Sequence, residues 1–160
     1  MDIYWRRALW PGGGVRVFQT DPSGCRATIS AEVDSTNTAS AVGSGGVDVF
    51  STPSLVCLME RAARDAVQEH LLPGLATVGV RLDIRHLSAT PVGETVTATA
   101  ELLEVDGRRL VFAVSACDRL GPVGEGRHER QIVRLESFIG KVRERFDTAG
   151  QAAEKEPCNG

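Results

Sequence analysis

One imbalance constrains this chain more than any other feature. A single long helix-patterned segment stands in the middle, and nearly everything after it alternates as strand. The segment opens at Ser51-Thr52-Pro53, where the Thr52 hydroxyl reads as the cap and Pro53 suits the first helical position, its missing N–H costing nothing there. In SLVCLMERAARDAVQEHLLPG, Leu55, Met59, Ala62 and Ala66 make one apolar ridge, and Val56, Ala63 and Val67 make the next. Leu55 to Met59 is apolar all round, which predicts burial on every side. Arg61, Arg64, Asp65, Gln68 and Glu69 give the second half a wet face, and Leu72-Pro73-Gly74 ends the helix.

The strands follow. TVGVRLDIRH places Val78, Val80, Leu82, Ile84 and His86 on one face. TVTATAELLEV does the same with Val96, Ala98, Ala100 and Leu102. Asp106-Gly107 is a hairpin signal that requires positive φ, and Leu110, Phe112, Val114 and Ala116 line the return strand. A turn near Gly121-Pro122 leads to a last strand from Val123 to Leu135, after which Phe138, Ile139, Val142 and Phe146 stand at helical spacing. Ahead of the helix, Cys25 to Val33 reads as a first strand. It is followed by a glycine-rich loop, DSTNTASAVGSGGVDVF, of a length usually reserved for function or mobility. Strand, loop, buried helix and an antiparallel meander predict an α+β domain with one strongly curved sheet wrapped around the helix. Such a sheet leaves an open edge strand, so pairing with a second copy is expected.

At 160 residues the chain is one domain. The expected boundaries are an N-terminal arm at 1–24, broken by Pro11-Gly12-Gly13-Gly14, the domain itself at 25–146, and a disordered tail at 147–160. A net charge of −3 argues against nucleic acid as a partner. No run approaches the roughly 20 apolar residues of a membrane span. The N-terminus has no secretory h-region, and Cys25, Cys57, Cys117 and Cys158 are scattered, which reads as reduced thiols in a cytoplasmic protein. His70, His86 and His128 lack metal-ligand spacing, no phosphate-binding glycine motif is present, and no metal or cofactor is expected.

Several residues could carry chemistry. Glu60 follows five apolar positions on the ridge of Val56, Ala63 and Val67, where a carboxylate is costly unless paired or used. It reads either as an i,i+4 partner of Arg64 or as a working carboxylate. His86 closes the apolar face of its strand, as a core histidine or as a catalyst carried toward Glu60 or Thr52. The Thr52 hydroxyl sits where the helix macrodipole favours a carbonyl oxygen gaining negative charge. Gly79, inside a β-branched strand, marks either a bulge or a close approach. Arg130 belongs to a basic strip with Arg127 and Arg134 beside Arg108 and Arg109, which is a solvated face or a phosphate site. Cys57, deep in the apolar turn, reads as an inert thiol.

Together, VDVFSTPSLVCLMERAA, VGVRLDIRHLSATPVGETVTATAELLEVDGRRLVFAVSACD and GEGRHERQIVRLESFIGKVRERF resemble the fluoroacetyl-CoA thioesterases, a branch of the hotdog-fold thioesterases. The resemblance covers roughly 25–146. It implies a sheet curled around a central helix, a homodimer, and hydrolysis of an acyl-CoA or acyl-carrier thioester. Binding of such a ligand without hydrolysis is the alternative. The family's threonine, glutamate and histidine fall on Thr52, Glu60 and His86; its glycine near the thioester carbonyl falls on Gly79, and its acyl-pocket arginine on Arg130. In the fluoroacetyl-specific enzyme, phenylalanines ahead of the threonine form a lid. Here that stretch is GSGGVDV, which implies a broader or different short acyl group.

Overall fold

The computed structural model describes residues 16–152. Its elements are β1 (Arg26–Glu32), α1 (Thr52–Gln68), β2 (Leu75–His86), β3 (Thr95–Asp106), β4 (Arg109–Asp118), β5 (Gly121–Arg134) and α2 (Leu135–Ala152). The strands form one antiparallel sheet in the order β1-β3-β4-β5-β2. The meander therefore holds for β3 to β5 only. The chain crosses the end of the sheet between His86 and Thr95, which puts β2 beyond β5 at one edge and β1 at the other.

The core lies between α1 and the concave face of the sheet. Leu55, Leu58, Met59, Ala62, Ala63, Ala66 and Val67 of α1 are buried against Val96, Ala98, Ala100, Leu110, Phe112 and Val114. Each large apolar side chain taken fully out of water stabilises the fold by about 1.5–3 kcal/mol. The first turns of α1 are not buried all round: Cys57 is exposed and Val56 half-buried, because the apolar stripe covers only the sheet-facing side.

Two positions near the helix start differ from expectation. Ser51, not Thr52, is the cap, and its Oγ accepts from the Ser54 amide at 3.1 Å. Thr52 and Pro53 then occupy the first two helical positions, so the Thr52 hydroxyl is free for another role. The long loop before the helix is folded back on itself. Phe50 donates its amide to the Thr90 carbonyl, Asn37 accepts from Ser51 and Ser54, and Thr38 and Phe50 are buried.

In β2 the register shifts between Gly79 and Arg81, which leaves Val80 without a ladder partner. A bulge changes the parity of every residue on one side of it. Thr77 and Gly79 therefore face inward before it, and Leu82, Ile84 and His86 after it, whereas Val80, expected on the apolar face, is 58% exposed. At the far end of the sheet, Gly107 turns the β3–β4 hairpin at φ 68°.

Residues 17–19 pair with the segment after α1, through Gln19 N to the His70 carbonyl and Leu72 N to the Val17 carbonyl. The rest of the expected arm, up to residue 15, lies outside the described residues. At the other end α2 runs past residue 147 to Ala152, and 153–160, with Cys158, lie outside the described residues. Among the described residues, no helix is long and apolar enough to cross a membrane.

Candidate active site

Two polar clusters lie along α1, one at its start and one two turns further on. At the start, the Thr52 hydroxyl meets His86 Nδ1 at 2.8 Å, joining the first turn of α1 to the last residue of β2. Thr52 is exposed. The other ring nitrogen, His86 Nε2, is buried and has no hydrogen-bond partner among the described residues. An orphaned buried nitrogen costs about 1–3 kcal/mol, so its retention needs a reason, and a catalytic role is one.

In the second cluster Glu60 reaches from α1 to the bulge of β2 and the middle of β5. Its Oε1 lies 3.4 Å from His128 Nε2 and 3.5 Å from Arg130 Nη1. A Cβ on Gly79 would sit 2.2 Å from the same oxygen, so only glycine leaves the carboxylate its place. Gly79 thus marks both of the features its sequence context left open, a bulge and a close approach. The i,i+4 bond to Arg64 does not form, because Arg64 pairs with Asp65 at 2.7 Å.

Arg130 is not part of a surface strip. Along β5 the side chains alternate, so His128, Arg130 and Ile132 point into the molecule while Arg127 stays outside. The guanidinium donates from Nε to Thr77 Oγ1 and from Nη2 to the Thr77 carbonyl, both at 2.9 Å, and its Nη1 lies 3.1 Å from His128 Nε2. An arginine side chain only 7% exposed and committed in this way is no docking point for a solvent-borne phosphate. Arg109, on the outer face, pairs instead with Glu129 at 2.9 Å.

His128 is a residue that motif reasoning missed. Its spacing from the other histidines is wrong for a zinc site. Its separation of two from Arg130 on one strand places both on one face, and that was the available signal. Burial is the main cause that holds its imidazole below the usual histidine range; the Arg130 cation adds to this, while the Arg81 carbonyl and Glu60 oppose it. The ring therefore stays neutral. Burial likewise lowers Arg130 from its ordinary value, against the pull of Glu60.

Glu60 itself is 39% exposed on its side chain, so a ligand can reach it. In one chain, then, Thr52 meets His86, and Glu60 meets Gly79 and Arg130. No contact joins Glu60 to His86 among the described residues. A carboxylate in reach of solvent, a hydroxyl–imidazole pair and a helix start that favours negative charge are the parts needed to add water to an acyl carbon.

An antiparallel sheet curled around one helix, carrying these groups, defines a hotdog-fold thioester hydrolase. The chain belongs to the fluoroacetyl-CoA-specific thioesterase family, whose model matches residues 33–136. The fluoroacetyl-CoA thioesterase of Streptantibioticus cattleyicolor is 46% identical over 98 residues, spanning 61% of this chain and 70% of that one. A solved structure of the fluoroacetyl-CoA thioesterase FlK superposes with a TM-score of 0.72 at 39% identity, covering 82% of this chain and 97% of the other. A hot-dog-like protein from Thermanaerovibrio acidaminovorans gives 0.72 at 29% identity, covering 78% and 93%. These likenesses speak for hydrolysis; nothing in them supports binding without turnover.

Proposed function

We propose that this protein hydrolyses short acyl-CoA thioesters to free acid and CoA, as a cytoplasmic homodimer joined along the β2 edges. In this reading, Glu60 of one copy works with Thr52 and His86 of the other. The observation that carries it is the separation of the two clusters. Thr52 and Glu60 stand about two turns, or roughly 12 Å, apart on α1, too far for one carbonyl to meet both in a single chain. Antiparallel pairing of two β2 edges would lay the Gly79 bulge of one copy beside the His86 end of the other. The position of β2 at the open edge of the sheet, with the apolar residue Val80 58% exposed, supports that pairing.

Glu60 takes a proton from the attacking water, or attacks the carbonyl carbon itself to form an acyl anhydride that water then cleaves, releasing the acid and restoring the carboxylate. Thr52, at the positive end of α1, and the backbone at Gly79 steady the oxygen as it gains charge. The C–S bond then breaks, and the proton taken from the water reaches the departing sulfur through His86, whose Nε2 has no other partner among the described residues. The acyl range follows from the loop ahead of Thr52. Its one aromatic, Phe50, is 2% exposed and committed to the core, and Val47 is 58% exposed, so no ring covers the pocket from this stretch. That supports turnover of acetyl- and other short acyl-CoAs without selectivity for the fluorinated group.

Mixing tests the shared site. Glu60→Gln and His86→Ala alone should each lower turnover about 10²- to 10⁴-fold. Co-refolded, they should recover about a quarter of wild-type activity, because half the dimers are mixed and each mixed dimer holds one intact site. Failure to recover would place the whole site within one chain. Wild-type turnover by both single variants would end the assignment of these residues.

A further inference from the structure

We propose that His128 is a positioning residue: a neutral imidazole that fixes the Arg130 guanidinium and, through it, the Glu60 carboxylate at the β2 bulge. The inference rests on the reading of Glu60 as the reacting carboxylate. A carbonyl has no proton to give, so at 2.9 Å from the Arg81 oxygen, His128 Nδ1 carries the hydrogen. In the neutral ring Nε2 is then a bare lone pair, and it accepts from Arg130 Nη1 at 3.1 Å. That same Nη1 stands 3.5 Å from Glu60 Oε1, whereas a free guanidinium–carboxylate hydrogen bond closes to about 2.7–2.9 Å. Nη1 keeps a second hydrogen, so His128 acts by placement: with Thr77 holding Nε and Nη2, it completes the fixing of the guanidinium plane 3.5 Å from a carboxylate that stays against Gly79.

The same two β5 side chains also tie down the bulge. Arg130 binds Thr77 twice and His128 binds the Arg81 carbonyl, so the residues flanking Gly79 and Val80 are held from β5. The bulge and the carboxylate are therefore fixed to one frame. With no acceptor at Nε2, Arg130 would close on Glu60 and draw it off its seat.

The discriminating pair of variants is His128→Gln and His128→Asn. Glutamine carries an amide oxygen to about where Nε2 stands and keeps an acceptor for Arg130. Asparagine keeps a donor toward the Arg81 carbonyl but lacks the reach. On an acyl-CoA that the wild-type protein turns over, His128→Gln should keep kcat to within a few-fold. His128→Asn should lose about 10- to 100-fold in kcat with KM unchanged and a similar Tm. Equal kcat in the two variants, whether high or low, overturns the proposal. Should either fail to fold, nitrogen NMR of the wild-type ring decides: a neutral, Nδ1-protonated His128 at pH 7 is expected, and an Nε2-protonated or cationic ring overturns it. A wild-type protein that releases no thiol from any acyl-CoA would sink the thioesterase reading instead, a result the NMR spectrum cannot produce.

Discussion

The two ends of the α1 site are built on opposite plans. Around Glu60 the neighbouring groups are committed: Arg130 spends Nε and Nη2 on Thr77, His128 uses both nitrogens, and the nearest backbone is a glycine that leaves no spare volume. Around Thr52 the arrangement is a single 2.8 Å contact, an exposed hydroxyl and a buried nitrogen with no partner. In the proposed reading, the difference separates two jobs. A carboxylate that must keep one position is held by buried polar groups, whose fixed geometry costs nothing to reorganise during reaction. The Thr52–His86 pair, to which that reading gives the incoming carbonyl, is left with bonding capacity to give.

The sharpest way to break this comparison is to crowd the committed end. In Gly79→Ala the new methyl would meet Glu60 Oε1 at 2.2 Å and His128 Cε1 at 3.2 Å, with no main-chain atom among its near neighbours. The Glu60 carboxylate is the far end of a flexible side chain and moves aside cheaply. Tm should therefore stay close to wild type while kcat falls about 100-fold, the size expected for a reacting group displaced by about an ångström. A Gly79→Ala enzyme with full turnover would show that the position of the carboxylate does not matter.

The open end should give a smaller response. Ser51 supplies the helix cap, so replacing the Thr52 hydroxyl does not uncap α1. Thr52→Val should leave the unfolding free energy within about 1 kcal/mol of wild type, the worth of one ordinary hydrogen bond. It should lower kcat about 10²-fold or less, toward the lower end of the range for a positioned acid–base group. Thr52→Ser, which keeps the oxygen, should recover most of the loss. A large fall in Tm for the valine variant would mean that Thr52 is a structural cap after all.

Much of this was legible in the residues. The apolar ridges of α1, the alternation of β3 and β4 and the Asp106-Gly107 hairpin were read from periodicity and turn chemistry. Glu60 stood out because a carboxylate among apolar residues needs a reason. What failed did so for definite causes. The bulge at Val80 is a one-residue change of register, and a strict period-two reading of β2 therefore carried Val78 and Val80 to the wrong face. Arg127 and Arg130 of the basic strip in β5 lie on opposite faces of the strand, which puts Arg130 inside beside His128. The cap shifted by one residue because Ser51 and Thr52 carry the same chemistry, and only the loop contacts through Asn37 decide between them. The proposed pairing across β2 edges would be a property of two chains, and one chain's periodicity speaks only of an open edge.

The last test uses pH to weigh how firmly the committed end is held. His128 lies below its ordinary value of 6.5, chiefly because burial disfavours the cation. On unfolding, the ring regains that ordinary value, so below about pH 6.5 the unfolded chain binds a proton that the folded one refuses. Stability is therefore complete above that pH and is lost as pH falls through it. The carboxylates held low by hydrogen bonds, such as Asp118 through the Leu120 amide and Thr90, keep their contribution until the pH approaches the ordinary carboxylate range near 3.8. Between pH 7.5 and about 5, wild-type Tm should thus fall more steeply than that of His128→Gln, which has no proton to take up. The difference between the two curves isolates His128 from His70 and His86, which both proteins share. Parallel curves would mean that the ring accepts a proton in the folded state, and the neutral frame around Glu60 would be lost with it.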